Sequence, residues 1–512
     1  MPEAGRPGAA RYVAIDLGAE SGRVQLGTLA GGRVALEEVH RFGNGAVSLP
    51  TGLHWDVLGL QREVVRGLAL AARRAGGRVD GIAVDAWGCD YGLLDRDGEL
   101  LGNPYHYRDH RTDGVMARVL TRIPRADVYR TTGIQFMPFN TLFQLVAARG
   151  TAALEGAATL AMIPDLIAYW LCGRLAGERT AASTTQLLDV RRREWARDLA
   201  ARVGIDPSIL PPLVDAGTPL APLRATVAAE AGLDPAPQVI AVGGHDTASA
   251  VVAVPARGRD FAYLSSGTWS LLGMELDAPA TGPEALAANL TNEGGVTGTI
   301  RLLRNVMGLW LVQECRRQWA REGADYTYDE LHRLAAAAPD GGPLIDPDDP
   351  SLLHPGDMPA RIAALCEASG QPAPRGPGAT VRCALESLAC TYRLVLERIE
   401  RVAGRRAAVV HVVGGGARNA MLCQLAADVL ERPVHAGPVE ATALGNVMTQ
   451  ALAQGRVGSL EEIRAVVAGS VAPTVYEPSA DRGELFARFL AVTGLEPVPA
   501  VAPTTQGPDP DA

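Results

Sequence analysis

The segment from Asp16 to Arg23 carries residue types that suit phosphate binding. It reads DLGAESGR and follows the apolar stretch YVAI, which predicts a buried strand ending in a carboxylate. Small residues let backbone N–H groups approach phosphate oxygens, and an arginine can supply the positive charge. Asp16 could hold Mg²⁺ through water. A plain hairpin with a solvated turn explains the same letters equally well.

A second segment of the same character follows about 250 residues later. Residues 265–268 read Ser-Ser-Gly-Thr between two apolar stretches, FAYL and WSLLGME. If the two turns face one another, they could grip a triphosphate from both sides. Taken alone, residues 265–268 are an ordinary turn more often than a binding site.

The segment GGHDT, residues 243–247, places a carboxylate after an apolar strand and two glycines. Phosphoryl transfer to an alcohol needs a base at the acceptor hydroxyl and an in-line approach to the γ-phosphate. Asp246 suits the role of that base. Alternatively, Asp246 only caps a helix that begins at Thr247, and His245 is more often a structural hydrogen-bonding residue than a proton carrier.

Two further segments combine residue types that bind sugars. Trp87-Gly88 and Tyr107-Arg108-Asp109 offer an aromatic face, bare backbone and an ion pair, which suit the apolar face and the hydroxyls of a sugar. A tryptophan at a strand end is otherwise a core residue. The triplet Gly414–Gly416 lacks the G-x-G-x-x-G spacing of a dinucleotide fold and could support a flat adenine ring, or simply form a tight turn.

The composition excludes several mechanisms. None of the 512 residues is lysine, so all 48 basic residues are arginine. P-loop enzymes, protein kinases and Schiff-base enzymes each need a reactive or phosphate-binding lysine and are therefore excluded. A net charge of −9 without a basic stripe argues against a nucleic-acid partner.

The sequence also gives an expectation for location. We find no apolar run of about 18 residues and no secretion signal in residues 1–10, so we expect a cytoplasmic protein without membrane contact. The seven cysteines lack any C-x-x-C spacing that a zinc or redox motif would need.

The elements that must position these residues are an alternation of strands and helices. Residues 11–29 and 261–275 predict two hairpins, and residues 81–95, 238–254 and 409–430 predict buried strands that lead into turns or helices. This pattern indicates an α/β fold with mixed sheets. We place a domain boundary near residues 252–259, which gives domains 11–252 and 258–485 and a disordered tail, 497–512.

Two helices of the first domain have predicted termini. Thr141 and Gln144 form a capping-box pattern, and Asp165 is predicted to cap a helix that ends at Gly173. Both helices are expected to pack on the first sheet.

In this order, the motifs resemble those of the FGGY carbohydrate kinases, a family of the actin-like ATPase superfamily. The resemblance covers about residues 11–480 and rests on AIDLGAESGRV, HRFGNG, HWDV, VDAWGCDYGLLD, YRDHRT, GIQFMPFNTLFQL, GHDTASAV, YLSSGTWSL, AANLTNEGG, NVMGLWLVQE, HVVGGGARN and AGPVEATALGN. It implies a two-domain actin-like ATPase (ribonuclease H-like) fold with a central cleft between the domains.

The resemblance also implies roles for individual residues. Asp246 would be the catalytic base, and Asp16 would be a Mg²⁺ partner. The residues implied to bind the ketose are Gly88, His245, Asp246, Thr247 and Asn305. Those implied to bind ATP are Ala19, Glu20, Ser21, Gly22, Arg23, Thr268, Gln313 and Gly415. Glu20 departs from the family pattern, since relatives often carry a small residue there, and its charge would repel phosphate unless the side chain points outward.

The implied activity is ATP-dependent phosphorylation of a small ketose by a monomer or small homo-oligomer. We expect ATP mainly on the second domain and the sugar mainly on the first. The identity of the ketose stays open at this point, with L-fuculose and L-xylulose among the alternatives. A nucleotide-dependent chaperone or filament protein of the same fold, without a sugar acceptor, is the other alternative.

Overall fold

A computed structural model describes residues 8–497 of the chain. In chain order the strands β1 to β21 span Ala10–Leu17, Ser21–Ala30, Arg33–Gly43, Ala46–Leu49, Gly52–Trp55, Gly81–Ala86, Tyr91–Leu94, Thr159–Met162, Gly177–Glu178, Leu188–Asp189, Glu194–Trp195, Leu213–Val214, Pro219–Pro222, Gln238–Ile240, Phe261–Ser266, Trp269–Leu276, Thr291–Gly294, Ile300–Met307, Val409–Val413, Val434–Ala436 and Thr474–Tyr476.

The helices α1 to α19 span Val57–Ala75, Val115–Leu120, Arg125–Thr132, Thr141–Ala147, Ala152–Glu155, Ile163–Cys172, Arg179–Ser183, Arg197–Arg202, Ala225–Ala231, Asp246–Val252, Pro283–Ala287, Trp310–Arg321, Tyr328–Ala337, Met358–Ala368, Gly376–Ala403, Ala420–Leu430, Ala441–Ala453, Leu460–Ser470 and Gly483–Thr493. Short 3₁₀ helices cover His110–Thr112, Pro207–Ile209, Pro350–Leu352 and Gly415–Arg418.

Two large mixed sheets share one arrangement. The first has the order β13-β14-β6-β1-β2-β3, and the second has the order β17-β18-β16-β15-β19-β20-β21. In each sheet an antiparallel hairpin, β1–β2 or β15–β16, is followed by two parallel strands, β6 and β14 or β19 and β20. Both predicted hairpins and the mixed α/β character are therefore confirmed.

Strand β1 separates two cores by simple alternation. Val13, Ile15 and Leu17 pack in one core with residues of α1 and α6. Tyr12 and Ala14, on the opposite face, pack with residues of α10 and α17. Because both faces of the strand are covered, its residues are almost continuously apolar.

The second sheet repeats this division. Ala262 and Leu264 of β15 pack with residues of α15 and α16, whereas Phe261 and Tyr263 join the same core as α10 and α17. Helices α10 and α17 therefore lie between the two sheets. A Cβ placed on Gly445 of α17 would lie 1.8 Å from the carbonyl oxygen of Ser249 in α10, so only glycine allows this close approach.

The chain passes from one sheet to the other through residues 253–260, and we call residues 10–252 the first half and residues 261–493 the second half. Helix α19 extends beyond the predicted limit at 485 and buries Phe489 in the core of the second half. The predicted tail, 497–512, lies outside the described residues except for Pro497. Among residues 8–497, the helices are too short or too polar to cross a membrane.

Two expectations about helix termini were wrong. Helix α4 begins after Asn140, and instead of forming a capping box, Thr141 donates to the Cys89 carbonyl (2.6 Å) and Gln144 donates to the Asp90 carboxylate (2.7 Å). This helix packs with β7 and β8, away from the first sheet, because its apolar residues belong to that separate core. Both polar side chains therefore bind residues distant in sequence and do not cap the backbone of their own helix.

Helix α6 follows the prediction more closely. It packs in the core beneath the first sheet and ends at Gly173, which has φ +83°. Asp165, however, accepts a hydrogen bond from the backbone N–H of Glu178 (3.1 Å) and does not cap the helix.

Candidate active site

One cavity of about 340 Å³ lies between the two halves. It brings together thirteen of the fourteen residues to which the family resemblance assigns roles: Asp16, Ala19, Glu20, Ser21, Arg23, Gly88, His245, Asp246, Thr247, Thr268, Asn305, Gln313 and Gly415. The exception is Gly22, which pairs with Leu17 and Phe42 in the first sheet. A Cβ on Gly22 would lie 2.2 Å from the Phe42 ring, so this glycine serves packing.

Asp246 is the first residue of α10, and its half-buried side chain lines the cavity. The capping position belongs to His245, one residue earlier, so Asp246 is not the cap that the alternative interpretation required. Its carboxylate accepts a hydrogen bond from Thr247 Oγ1 (3.1 Å). The preceding turn is held against the first sheet by a hydrogen bond from the Ala86 N–H to the Gly244 carbonyl (2.9 Å).

Behind Asp246 lies a buried charged group that the sequence did not reveal. His245 Nδ1 lies 3.0 Å from Glu293 Oε2, and His245 Nε2 lies 3.5 Å from Asp246 Oδ1. Arg301, fully buried, donates to the same Glu293 oxygen (3.0 Å). Burial alone would raise the pKa of Glu293, but the charges of His245 and Arg301 outweigh it and lower the pKa to about 2. The arrangement fixes the His245 ring, which favours the structural interpretation of this histidine.

A pair of carboxylates lies where β1 and β6 run side by side. Asp16 pairs with Asp85 in the strand register and lies 3.8 Å from Arg23 Nε. Burial raises the pKa of Asp16 to about 6; Arg23 opposes this shift, and Asp246 adds to it. Burial, and then the charge of Asp16, raise the pKa of Asp85 well above its usual value.

Asp85 was not singled out from the sequence, although it lies within the motif VDAWG. It accepts a hydrogen bond from Asn446 Nδ2 (2.6 Å), while its Oδ1 is buried without a hydrogen-bond partner among the described residues. Asp16 lines the cavity, whereas Asp85 is buried behind it as its register partner. Carboxylate oxygens are ligands that a divalent cation such as Mg²⁺ prefers.

The glycine triplet packs directly on the turn of the second hairpin. A Cβ on Gly416 would lie 2.0 Å from Ser266 Oγ, and one on Gly414 would lie 3.0 Å from the Ser266 carbonyl oxygen. A Cβ on Gly415 would meet no atom of residues 8–497 within 4 Å, so this residue leaves an open backbone surface in the cavity. Such a surface can accommodate a flat ring.

Glu20 is turned toward the second half. Its carboxylate accepts a hydrogen bond from Arg317 of α12, so its charge is paired. Arg23, from the same hairpin, donates to Glu440 at a distance of 2.5 Å. These two ion pairs cross from the first half to the second at the edge of the cavity.

The sugar-binding candidates divide into two groups. Trp87 and Gly88 line the cavity, and the Trp87 indole N–H is fixed by Asp90 (3.0 Å). The predicted ion pair of Arg108 and Asp109 was wrong, because the Arg108 guanidinium lies 3.7 Å from the centre of the Trp310 ring and Asp109 accepts from the Leu53 N–H (2.8 Å).

Asn305 has a partner that sequence reasoning missed. Gln135 Oε1 accepts from the backbone N–H (2.8 Å) and the side-chain amide (3.1 Å) of Asn305, and Gln135 Nε2 donates to the Asn305 carbonyl (3.1 Å). Both residues line the cavity, so this pair joins the two halves at the cavity wall. The signal was the motif GIQFMPFN, in which Gln135 is the polar residue among apolar neighbours.

Two family models match the chain. The N-terminal domain of the FGGY family of carbohydrate kinases matches residues 12–253, and the C-terminal domain of that family matches residues 262–454. A rhamnulokinase of Bacteroides thetaiotaomicron is 44% identical over 469 residues, 91% of this chain and 96% of that protein. One of Pectobacterium carotovorum is 43% identical and covers 95% of this chain and 97% of its own length.

Solved structures show the same fold at low identity. A xylulose kinase from Lactobacillus acidophilus superimposes with a TM-score of 0.74 at 17% identity, covering 94% of this chain and 96% of that one. Plasmodium falciparum glycerol kinase with ADP gives a TM-score of 0.74 at 14% identity, with the same coverage. The predicted two-domain fold of the actin-like ATPases is confirmed.

Proposed function

The chain belongs to the FGGY family of carbohydrate kinases, and from this premise we propose that it phosphorylates L-rhamnulose at O1, with ATP as donor, to give L-rhamnulose 1-phosphate. The observation that carries the choice of sugar is the set of relatives named rhamnulokinase, which are 40–44% identical over 91–95% of this chain. The product would enter L-rhamnose catabolism.

In the proposed reaction Asp246 accepts the proton of the sugar 1-hydroxyl as its oxygen attacks the γ-phosphorus. General bases contribute about 10²- to 10⁴-fold to such steps. The position of Asp246 supports this role, because it lines the same cavity as the two hairpin turns. His245, held by Glu293, orients the sugar side of the site.

We assign the sugar to Gly88, His245, Thr247 and Asn305, and the phosphates to the turn formed by residues 19–23 and to Thr268. Arg23 supplies the positive charge that a lysine supplies in other kinases. Gln313 and Gly415 line the cavity from the second half and would contact the nucleoside. The open backbone at Gly415 supports this assignment.

We assign Mg²⁺ to the Asp16 carboxylate, which lines the cavity, with Asp85 as its register partner on the neighbouring strand. Such a cation neutralises charge on the phosphate oxygens when it is bound. Arg23 limits the negative charge of this pair, because it lies 3.8 Å from Asp16.

The cavity must also keep water from the γ-phosphate, because water competes with the sugar hydroxyl as acceptor. The cross-cleft pairs Arg23–Glu440 and Glu20–Arg317 bring the halves together at the edge of the cavity. We propose that these pairs favour the closed form and that the cleft opens for substrate entry and product release.

A coupled assay of ADP release with a panel of ketoses tests the proposal. We expect the highest kcat/KM with L-rhamnulose, and much lower values with L-fuculose and L-xylulose. A clear preference for one of these two would assign the enzyme to that sugar instead. ATP hydrolysis that no sugar changes would favour a non-kinase ATPase of the same fold.

A further inference from the structure

Three potential metal ligands meet on the outside of the molecule. His110 and Asp113 belong to the first half, and His354 belongs to a loop of the second half that follows the 3₁₀ helix Pro350–Leu352. One ligand atom from each residue lies within 4.8 Å of the others. None of the three lines the active-site cavity.

Local structure brings His110 and Asp113 together. They begin and follow the 3₁₀ helix His110–Thr112, in which side chains three residues apart lie over one another. His110 Nδ1 and Asp113 Oδ2 are accordingly 2.9 Å apart. Both side chains are more than half exposed, so an ion in solvent can reach them.

Arg108 holds the segment Leu353–His354 through both its side chain and its backbone carbonyl. The Arg108 guanidinium donates to the Leu353 carbonyl, and the Arg108 carbonyl lies 3.2 Å from His354 Nδ1. The imidazole of His354 also stacks on that of His110, with ring centres 4.0 Å apart. Its ring therefore has a defined place and orientation against the first half.

This orientation determines which nitrogen of His354 is free. A carbonyl oxygen only accepts hydrogen bonds, so His354 Nδ1 carries the hydrogen, and in the neutral ring Nε2 presents its lone pair. That lone pair lies 3.8 Å from Asp113 Oδ1, another electron-rich atom. Two such atoms face one another favourably when a cation lies between them. A backbone carbonyl behind the other ring nitrogen is also the usual support of a metal-binding histidine.

We propose that His110, Asp113 and His354 form a binding site for a divalent transition-metal ion of the zinc class, which links the two halves outside the active site. Two imidazole nitrogens and a carboxylate oxygen are ligands that Zn²⁺ accepts, with bonds of about 2.0–2.2 Å. A tetrahedral site with such bonds needs ligand atoms about 3.3 Å apart. His110 Nδ1 lies 2.9 Å from Asp113 Oδ2, and His354 Nε2 lies 3.8 Å from Asp113 Oδ1. Since one ligand atom from each residue lies within 4.8 Å of the others, rotation of the three side chains has to bring both nitrogens and one Asp113 oxygen to this spacing.

Three protein ligands leave one coordination position for water. Binding requires His110 Nδ1 to give up its hydrogen, which the neutral ring can carry on Nε2 instead. Because His354 reaches across from the second half, the bound ion holds residues 353–354 on the first half. It should therefore raise the thermal stability of the chain, since a ligand that binds only the folded state stabilises it.

The test is Zn²⁺ binding to the full-length, chelator-treated protein, with excess Mg²⁺ present to occupy the nucleotide site. We expect one Zn²⁺ per chain by equilibrium dialysis and a rise in the thermal midpoint. The variants His354→Ala and His110→Ala should each bind Zn²⁺ at least about tenfold more weakly, since even loss of an outer partner of a metal ligand costs this much. Both should also lose the rise in midpoint.

The matched control is His332→Ala, a histidine of α13 that is remote from the cluster in sequence and element. It should bind Zn²⁺ as the wild type does. If the wild type takes up no Zn²⁺, or if His354→Ala and His110→Ala both bind within about twofold of wild type, the site is overturned. His110 is 69% exposed, so its variant remains informative even if His354→Ala folds poorly.

Discussion

At the scale of single residues, the environment of Asp246 depends on side chains distant in sequence. Glu293 and Arg301 come from β17 and β18, about 50 residues after His245, yet they hold its ring. Arg301 is fully buried, and its charge is balanced by Glu293. A buried charge that loses its partner is strongly destabilising.

We therefore predict that Glu293→Gln lowers the free energy of unfolding by about 3–5 kcal/mol at pH 7. Part of the stability that Glu293 contributes depends on pH, because the pKa of Glu293 falls from 4.5 to about 2 on folding. A depressed carboxyl pKa stabilises the fold above pH 4.5, and this contribution, about 3 kcal/mol, is lost as the pH falls toward 2. Urea unfolding at several pH values measures both effects.

The difference between wild type and Glu293→Gln should accordingly shrink between pH 4.5 and pH 2. The control is Glu230→Gln, an exposed glutamate of α9, which should change stability by less than about 0.5 kcal/mol. Equal stability of wild type and Glu293→Gln at pH 7 would show that the buried pair does not hold this region.

Sequence reasoning found Asp246 but not Glu293, for a physical reason. Asp246 follows a strand and two glycines, so its own neighbours indicate a site. Glu293 acquires its role only through contacts made by folding, and its immediate letters, TNEGG, fit an ordinary turn equally well. Asp85 and Gln135 were missed in the same way, since each belongs to a quoted motif but makes its hydrogen bonds with residues far along the chain.

At the scale of elements, the contact between the second hairpin and the glycine triplet shapes one wall of the cavity. Gly416 lies against Ser266, whereas Gly415 faces open space. The same substitution at these two neighbours should therefore have different effects.

We predict that Gly415→Ala leaves the free energy of unfolding within about 0.5 kcal/mol of wild type and raises KM for ATP by about tenfold, or about 1.4 kcal/mol. Its new methyl group would occupy the surface assigned to the nucleoside. Gly416→Ala should lower stability by about 1–3 kcal/mol, because the methyl group overlaps Ser266. Urea unfolding and ATP titrations at saturating sugar measure these effects.

Gly342→Ala serves as the control, since a Cβ there meets nothing within 4 Å and the residue does not line the cavity. It should change neither quantity appreciably. An unchanged KM for ATP in Gly415→Ala would remove Gly415 from the nucleotide site.

The strands and hairpins were predictable because their signals are local. Alternation in YVAIDL and the small residues of each turn are enough to place both hairpins. Helix α4 was placed against the wrong core because its apolar residues pack with β7 and β8, and no local rule indicates which core a helix joins. The capping box was wrong because Thr141 and Gln144 bind Cys89 and Asp90 instead.

At the scale of the whole molecule, the two halves meet through α10 and α17. Gly445 allows the two helices to touch, and Gly27 of β2 allows Val447 of α17 to reach the first sheet. The packing roles of these glycines could not be predicted, since the sequence alone does not indicate which helix lies between the sheets.

We predict that Gly445→Ala destabilises the protein by about 1–3 kcal/mol, because the added methyl group must push α10 and α17 apart. Alanine favours a helix over glycine by about 1 kcal/mol, so the loss occurs in spite of better propensity. Gly469→Ala in α18, where a Cβ meets nothing within 4 Å, should keep or slightly raise stability. Urea unfolding of both variants measures these changes in the free energy of unfolding. A Gly445→Ala variant more stable than wild type would contradict the packing described.

The most direct measurement for the account as a whole is sugar-dependent ADP release by Asp246→Asn with L-rhamnulose at saturation. We predict a fall in kcat of at least about 100-fold, with the unfolding midpoint close to that of wild type. Asp325→Asn, at an exposed aspartate of the second half, should retain the kcat of wild type. A kcat of Asp246→Asn within a few fold of wild type would contradict the role of Asp246 as the base in sugar phosphorylation.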